Sequence, residues 1–416
     1  MYVATLLRIS WKASHAGVVY PRSLMQATSS GSAPSHASRA RDLVDFPPTE
    51  LSDEEAAFKR EVGDYLDRRL APGSYRPSLG IAAHPDPAFS LDLGRQGLIG
   101  MSLPREYGGA GRSAVDRLIV TEELLARGAP VGHHWIADRQ SGPSILANGT
   151  DAQRQEFLPG IAAGELSFAI GMSEPDSGSD LASLRTRAVR QGDDWMVNGT
   201  KVWTTGAATA THILATLRTG PEKWTGLTQF IIDRHAPGIT VRPIEFIDGS
   251  WDFCEVVFED VRVPDTCRLG EEGKGWAQNT GELALERGGV DRWMSLMPVL
   301  QTWVPRAARD AETRGHVARL SAMCWALRGM SLSIARQVDQ GHTPVVEAAL
   351  VKEMATRFEQ DCVGLVAADF TSPPRPDSDD EYEALVAQAL LISPSWTIRG
   401  GTNEILRGII AKEMRR

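Results

Sequence analysis

The sequence has no apolar run approaching the ~20 residues that a membrane span requires, so no membrane-spanning segment is expected. Basic residues are outnumbered: the formal net charge of -9 argues against a nucleic-acid surface, which needs clustered Lys and Arg. That balance leaves room for an anionic small ligand held by local Arg and helix N-termini. Cysteine is scarce. Cys254, Cys267, Cys324 and Cys362 lie far apart with no CxxC pair, as expected of reduced core residues in a cytosolic protein rather than metal ligands or a disulfide frame. His133-His134 lacks a third ligand at useful spacing, so both read as structural or surface histidines and no metal is expected. Acidic residues are missing from the first ~41 positions, which carry Arg8, Lys12, Arg22, Arg39 and Arg41 and end in a Ser/Ala-rich tract. Such a segment fits a transit peptide or a start codon assigned too far upstream, and residues 1–45 are set apart from the fold.

What is present is enough for a large core and two or three domains: 416 residues, 42% of them hydrophobic. Leu51-Ser-Asp-Glu-Glu55 predicts a helix start, with Ser52 as N-cap and Glu55 closing a capping box. Phe58, Val62, Tyr65 and Leu66 follow at helical spacing. A Pro/Gly-rich connection runs from Ala71 to Pro87, and Leu98 to Gly111 reads as loop. Arg117 to Arg127 is helical, and Thr150-Asp-Ala-Gln153 opens a helix that Pro159 and Gly160 are expected to close. Residues 46–165 are therefore expected to form an all-helical N-terminal domain.

The period then becomes alternating. Trp195-Met-Val, a turn at Asn198-Gly199 and Lys201-Val-Trp predict a hairpin, and runs beginning at His212, Thr228, Ile239 and Phe253 predict further strands, giving a β domain over 166–270. From Gly275 the chain reads as helical to its end. Segments at 317–338, 348–366 and 383–392, and a last helix beginning near Thr402, predict a bundle over 271–416.

The stretch from Phe168 to Gly206 organises the rest. A small-residue loop, Met172 to Asp180, precedes Lys201-Val-Trp-Thr-Thr205, so hydroxyls and a flat aromatic are available to a planar, hydrogen-bonding, phosphate-bearing cofactor. The same residues also suit ordinary turns and a packed strand. Gly171-Met-Ser-Glu-x-x-Ser-Gly-Ser-Asp-x-x-Ser183 followed by Lys-x-Trp-x-Thr resembles the middle-domain signature of the acyl-CoA dehydrogenase family, and the resemblance covers roughly residues 46–416.

That resemblance implies an α+β fold with an N-terminal all-α domain, a middle antiparallel β-barrel domain and a C-terminal four-helix bundle. It implies FAD held by Met172, Ser173, Gly178, Ser179, Trp203, Thr204, Thr205, Thr402 and Glu404, and an acyl-CoA touching Ser179, Arg287 and Gly401. It implies an electron-transfer flavoprotein or similar acceptor, and a homo- or hetero-oligomer built as a dimer of dimers. The location implied is the bacterial cytoplasm, or the mitochondrial matrix if the N-terminal extension is a transit peptide.

Desaturating a thioester at Cα–Cβ needs a base for the α proton and a hydride acceptor for the β carbon. Many members carry a Glu just before Gly-Thr at the last helix, where this sequence has Gly400-Gly401-Thr402. Others carry the base in a Leu-Glu-Arg segment, matched here by Leu285-Glu286-Arg287. Glu286 is the expected catalytic base, against the plainer reading of a solvated helix residue paired to Arg287. Gly288-Gly289, expected inside the same helix, suggests close approach by a ligand or by another helix. The family's Arg-x-x-Phe-Gly arm, which reaches the FAD pyrophosphate from a neighbouring subunit, is matched by Glu312-Thr-Arg-Gly-His-Val317, which lacks Phe-Gly, and Ser372-Pro-Pro-Arg-Pro-Asp stands near the place of a glycine-rich segment. Both departures resemble divergent bacterial members that act on bulky sterol-type acyl-CoAs and assemble from unlike subunits. A non-catalytic partner subunit and a flavin monooxygenase or oxidase of the same fold are the alternatives.

Overall fold

The computed structural model describes residues 44–80, 85–247 and 249–415. The expectation for the N-terminal extension lies outside the described residues, and so do the side chains of residues 282–286. The first helix, α1 (Asp53–Arg69), starts where its caps dictate. Ser52 Oγ accepts from Glu55 N at 3.2 Å, and the Glu55 carboxylate accepts from Ser52 N at 2.8 Å. Asp86 accepts from Phe89 N at 2.9 Å and, with Pro87 at the first position, opens α2 (Pro87–Arg95), a helix that the Pro-rich composition had hidden. Next come α3 (Ala114–Ala126), a π-helix (Ala137–Ser141), α4 (Gly142–Asn148) and α5 (Asp151–Ala162). The Thr150–Gln153 capping box forms, but Pro159 and Gly160 do not close α5. Proline removes one backbone donor, and the next turn still completes through Ala163 N to Pro159 O at 2.9 Å.

The middle unit is one sheet, β1 (Phe168–Gly171), β2 (Arg187–Gln191), β3 (Asp194–Thr205), β4 (His212–Arg218), β5 (Leu227–Asp233), β6 (Ile239–Glu245), β7 (Trp251–Pro264) and β8 (Arg268–Leu269). Its order is β6-β7-β3-β2-β4-β5-β8, and β1 joins β4. Most pairs are antiparallel; β4 runs parallel to β1 and, at one position, to β2. The hairpin expected at Asn198-Gly199 is a correction. Asp194 to Thr205 is one continuous strand, and its turn partner is β2, reached through Gly192-Asp193. Asn198-Gly199 is instead a bulge site against β7. Gly199 has φ +143°, and Asn198 exchanges hydrogen bonds with Asp260 at 3.0 and 2.9 Å. Tolerance of positive φ suits a bulge as well as a turn, and only the partner strand distinguishes them.

The C-terminal unit contains α6 (Gly275–Glu286), α7 (Met297–Ala307), α8 (Ala311–Asp339), α9 (Val345–Ala367), α10 (Glu381–Ile392) and α11 (Asn403–Met414). One hydrophobic cluster runs from Val62, Leu66 and Phe89 through Ile119 and Leu125 to Leu300, Leu327 and Phe358, so the helices of both ends share a core and the sheet keeps its own. Gly288-Gly289 lies past the end of α6 rather than inside it. A Cβ at Gly288 would stand 2.9 Å from Ile334, so close packing on α8 accounts for that glycine.

Candidate functional site

The loop after β1 is held from beneath by a buried ion pair. Lys201 Nζ lies 2.8 Å from Glu174 Oε1 and donates to Met172 O at 3.0 Å, with the lysine side chain 0% exposed. The other demands of the Glu174 carboxylate are met by Arg185 N at 2.6 Å and Thr186 N at 2.8 Å. Burial pushes the Glu174 carboxyl up, but Lys201 and these donors outweigh it and hold the group below its usual range. Reciprocal Glu174–Ser177 backbone bonds and Ser177 Oγ to Asp180 O at 2.7 Å close the loop. A cleft of about 300 Å³ beside it is lined by Glu174, Asp176, Arg185, Asn198 and Thr200, and by none of the predicted site residues.

Above Lys201 the strand bulges. Lys201 pairs with Val256 and Thr204 with Cys254, so Val202 and Trp203 together oppose a single residue of β7. Trp203 has φ +59°; it and Asp260 are the non-glycine residues with positive φ among the described residues. For an indole-bearing residue this conformation is unfavourable by about 1–2 kcal/mol, and such outliers gather at ligand sites. The bulge turns the ring out of the sheet, 56% exposed, with its face edge-on to Phe253 at 6.1 Å.

The fit of these residues to a flavin can be judged from what they leave unused. The hydroxyls of Ser173, Ser179 and Thr205 make no hydrogen bond with the described residues and are exposed or half-exposed. An exposed flat aromatic and unused hydroxyls suit a planar ring with a polar edge and a phosphate tail. Gly178 is open, with no atom within 4 Å of a Cβ placed there. Thr204 is 0% exposed, and its buried hydroxyl makes no hydrogen bond with the described residues.

A second group forms before α11. Gly400 and Gly401 have φ +66° and +98°, a left-handed pair that glycine adopts without strain. Arg287 Nε donates to Gly400 O at 2.9 Å, and the Arg292 guanidinium stands 3.2 Å from where a Gly400 Cβ would be. Lys352, 0% exposed, donates to Thr397 O, Gly401 O and Asn403 Oδ1 at 3.3, 3.0 and 2.9 Å. Arg399 reaches Glu359 at 2.5 Å, while Glu359 also accepts from Ser295 N at 2.9 Å. Burial lifts the Glu359 carboxyl above its usual range, against the pull of Arg399. Thr402 accepts from Ile405 N at 3.3 Å as an N-cap, and exposed Glu404 sits in the first turn of α11.

Arg287, Gly400 and Gly401 are thus brought together directly, and the strand before Trp203 holds Met172 through Lys201 Nζ and Ser173 through Val202 N, which donates to Ser173 O at 2.9 Å. The π-helix packs against both β1 and α6 and so connects the two groups. Glu286 is the last residue of α6; its side chain lies outside the described residues. Sequence reasoning missed the roles of Glu174 and Lys201, although both stand inside the quoted motifs. It also missed Arg292, Lys352 and Glu359, which carry no local signal. His134 is a buried structural histidine whose Nδ1 meets Ser90 Oγ at 2.8 Å, and burial lowers it to about 4.

Comparison with known proteins gives matches along almost the whole described chain. Residues 52–165, 169–261 and 273–415 match the N-terminal, middle and C-terminal domains of acyl-CoA dehydrogenase. The acyl-CoA dehydrogenase FadE26 of Mycobacterium tuberculosis is 33% identical over 389 residues, 85% of this chain and 94% of that protein. A solved structure described as the Tcur3481-Tcur3483 steroid ACAD superposes with a TM-score of 0.78 at 28% identity, covering 87% of this chain and 97% of that one. The ChsE4-ChsE5 complex from Mycobacterium tuberculosis gives 0.74 at 31% identity, covering 87% and 97%.

Proposed function

The chain belongs to the acyl-CoA dehydrogenase family, flavoprotein oxidoreductases acting on CH–CH groups, and from that premise we propose that it desaturates an acyl-CoA thioester between Cα and Cβ with Glu286 as the base. The observation that carries this reading is the 2.9 Å hydrogen bond from Arg287 to Gly400 O. It ties the end of α6, which bears Glu286, to the turn where Gly400 stands in place of a side-chain base. Glu286 takes the α proton as a carboxylate, and Arg287 orients the thioester end. Met172, Ser173, Ser179, Trp203 and Thr205 would hold FAD, the indole covering the ring and the hydroxyls meeting its polar edge. When bound, the flavin supplies the acceptor for the β hydride, which leaves Cα and Cβ joined by a double bond. An external electron carrier then reoxidises the protein.

A second reading is favoured by Gly400, by the 312–317 segment, which lacks Phe-Gly, and by the similar structures that are described as two-protein pairs. In it an unlike subunit completes the flavin site. Purification of the chain alone, followed by anaerobic addition of acyl-CoAs, separates the two. A yellow protein that bleaches supports the first reading, with Glu286→Gln slowing bleaching by roughly 10²–10⁴. A colourless protein that gains flavin only with a partner supports the second. Equal bleaching by Glu286→Gln and wild type would remove Glu286 from its role.

A further inference from the structure

The chain enters α1 over a short segment, residues 44–52, that forms neither helix nor strand and yet is tied at several points. Pro47 and Pro48 stiffen it, and the first of them favours extended backbone at Phe46. Asp45, which composition set apart from the fold, is held through both of its backbone groups. Its N–H donates to Glu347 Oε1 of α9 at 3.0 Å, and its carbonyl accepts from Gln337 Nε2 of α8 at 2.8 Å. Arg336 of α8 donates to Thr49 Oγ1 at 3.3 Å and to Glu50 O at 3.0 Å. A segment ahead of the first helix is ordinarily loose unless tied down in this way.

Phe46 packs against a small cluster of Ile334, Ala348 and Val351 that is separate from the main core. Gly288 rests on the same cluster: a Cβ there would stand 2.9 Å from Ile334 and 3.4 Å from Ala348. Gly288 follows Arg287, whose Nε reaches Gly400 O, and lies two residues past Glu286. The cluster thus links the Phe46 ring to the turn that follows α6. Glu347 precedes Ala348 and is 9% exposed; among the described residues it makes no ion pair, and the Asp45 N–H is its hydrogen-bond donor. A nearly buried carboxylate deprived of that donor is unfavourable, which keeps the segment on α9.

We propose that residues 45–50 are a strap that fixes the turn after α6, with Phe46 as a positioning residue that acts through Ile334 and Ala348 on Gly288, and so on Glu286 and Arg287. The catalytic half of this rests on the acyl-CoA reading of the site. A base must stay within hydrogen-bond reach of the proton it removes, and a displacement of about 1 Å costs roughly 10²-fold in rate. Gly288 and Gly289 leave the backbone next to Glu286 freer than other residues would, so a brace from outside the turn has an effect there.

The test compares wild type with Phe46→Ala, Phe46→Leu and Phe58→Ala in the full-length flavin-loaded protein. Phe58 is another partly buried ring near the start of the fold, but it packs on the main core, so its removal controls for lost packing alone. Two quantities are measured: amide hydrogen exchange in the peptide spanning residues 286–290, and the rate of anaerobic flavin bleaching at saturating acyl-CoA. Phe46→Ala should speed exchange about 10-fold and slow bleaching about 10- to 100-fold. Phe46→Leu should recover most of both, and Phe58→Ala should change neither. Unchanged exchange in Phe46→Ala, or the same changes in Phe58→Ala, would overturn the strap. Faster exchange with wild-type bleaching would remove Phe46 as a positioning residue. If acyl-CoAs fail to bleach even wild type, the dehydrogenase reading falls, and exchange still decides whether the strap holds the turn.

Discussion

Two buried lysines hold the two halves of the site, and they do so in different ways. Beneath the loop Lys201 meets the carboxylate of Glu174; before the last helix Lys352 meets only neutral oxygens in its hydrogen bonds, those of Thr397, Gly401 and Asn403. The first arrangement is a compensated pair, so the loop above it can leave its hydroxyls free for a ligand. The second is a cation that collects carbonyls, so it sets a backbone path through Gly400 and Gly401 and leaves no side chain there. One lysine therefore supports a loop with unused hydroxyls, and the other shapes a turn that presents no side chain.

Removing the lysines should separate the two cases most strongly. Lys201→Met strands a buried carboxylate, and unfolding free energy should fall by about 3–5 kcal/mol in urea denaturation, with Glu174→Gln in the same chain recovering part of the loss. Lys352→Met strands only neutral acceptors and should lower it by about 1–3 kcal/mol, with no rescuing partner. Equal losses, or no rescue by Glu174→Gln, would erase the distinction.

Acidity should show the smallest and most diagnostic effect, because the buried carboxylates of the two regions are displaced in opposite directions. Glu174 is held below 4.5. Its contribution is complete above that value and is lost as pH falls through the folded pKa. Glu359 is raised above 4.5 by burial. Its contribution is complete below that value and is lost as pH rises through the folded pKa. Stability differences between wild type and Glu174→Gln, and between wild type and Glu359→Gln, should therefore slope oppositely with pH, each by at most about 1.4 kcal/mol per unit. Parallel slopes in thermal unfolding across the acid range would contradict the electrostatics described here.

What could be read from the residues alone follows distance along the chain. Ser52 with Glu55, Thr150 with Gln153, and Thr402 with Ile405 are contacts three residues apart, and each cap stands where its spacing predicts. The order of helical, sheet and helical units was equally legible, since hydrophobic period is local. Asn198-Gly199 misled because its signal, tolerance of positive φ, does not say which strand will lie opposite. The motif assigns Trp203 to the flavin, but the exposure of its ring comes from a bulge defined jointly with β7. The burial of Thr204 beside it depends on the same pairing.

The sequence by itself determined the family, the succession of units, the helix caps and the motif residues, because these depend on neighbours and on short-range backbone preference. Only the tertiary structure decided that Lys201 is paired with Glu174, that Arg292 stands against Gly400, and which hydroxyls remain free. Charge compensation and burial depend on what lies opposite after the chain has folded, and for Glu174 and Lys201 that partner is 27 residues away, for Arg287 and Gly400 it is 113.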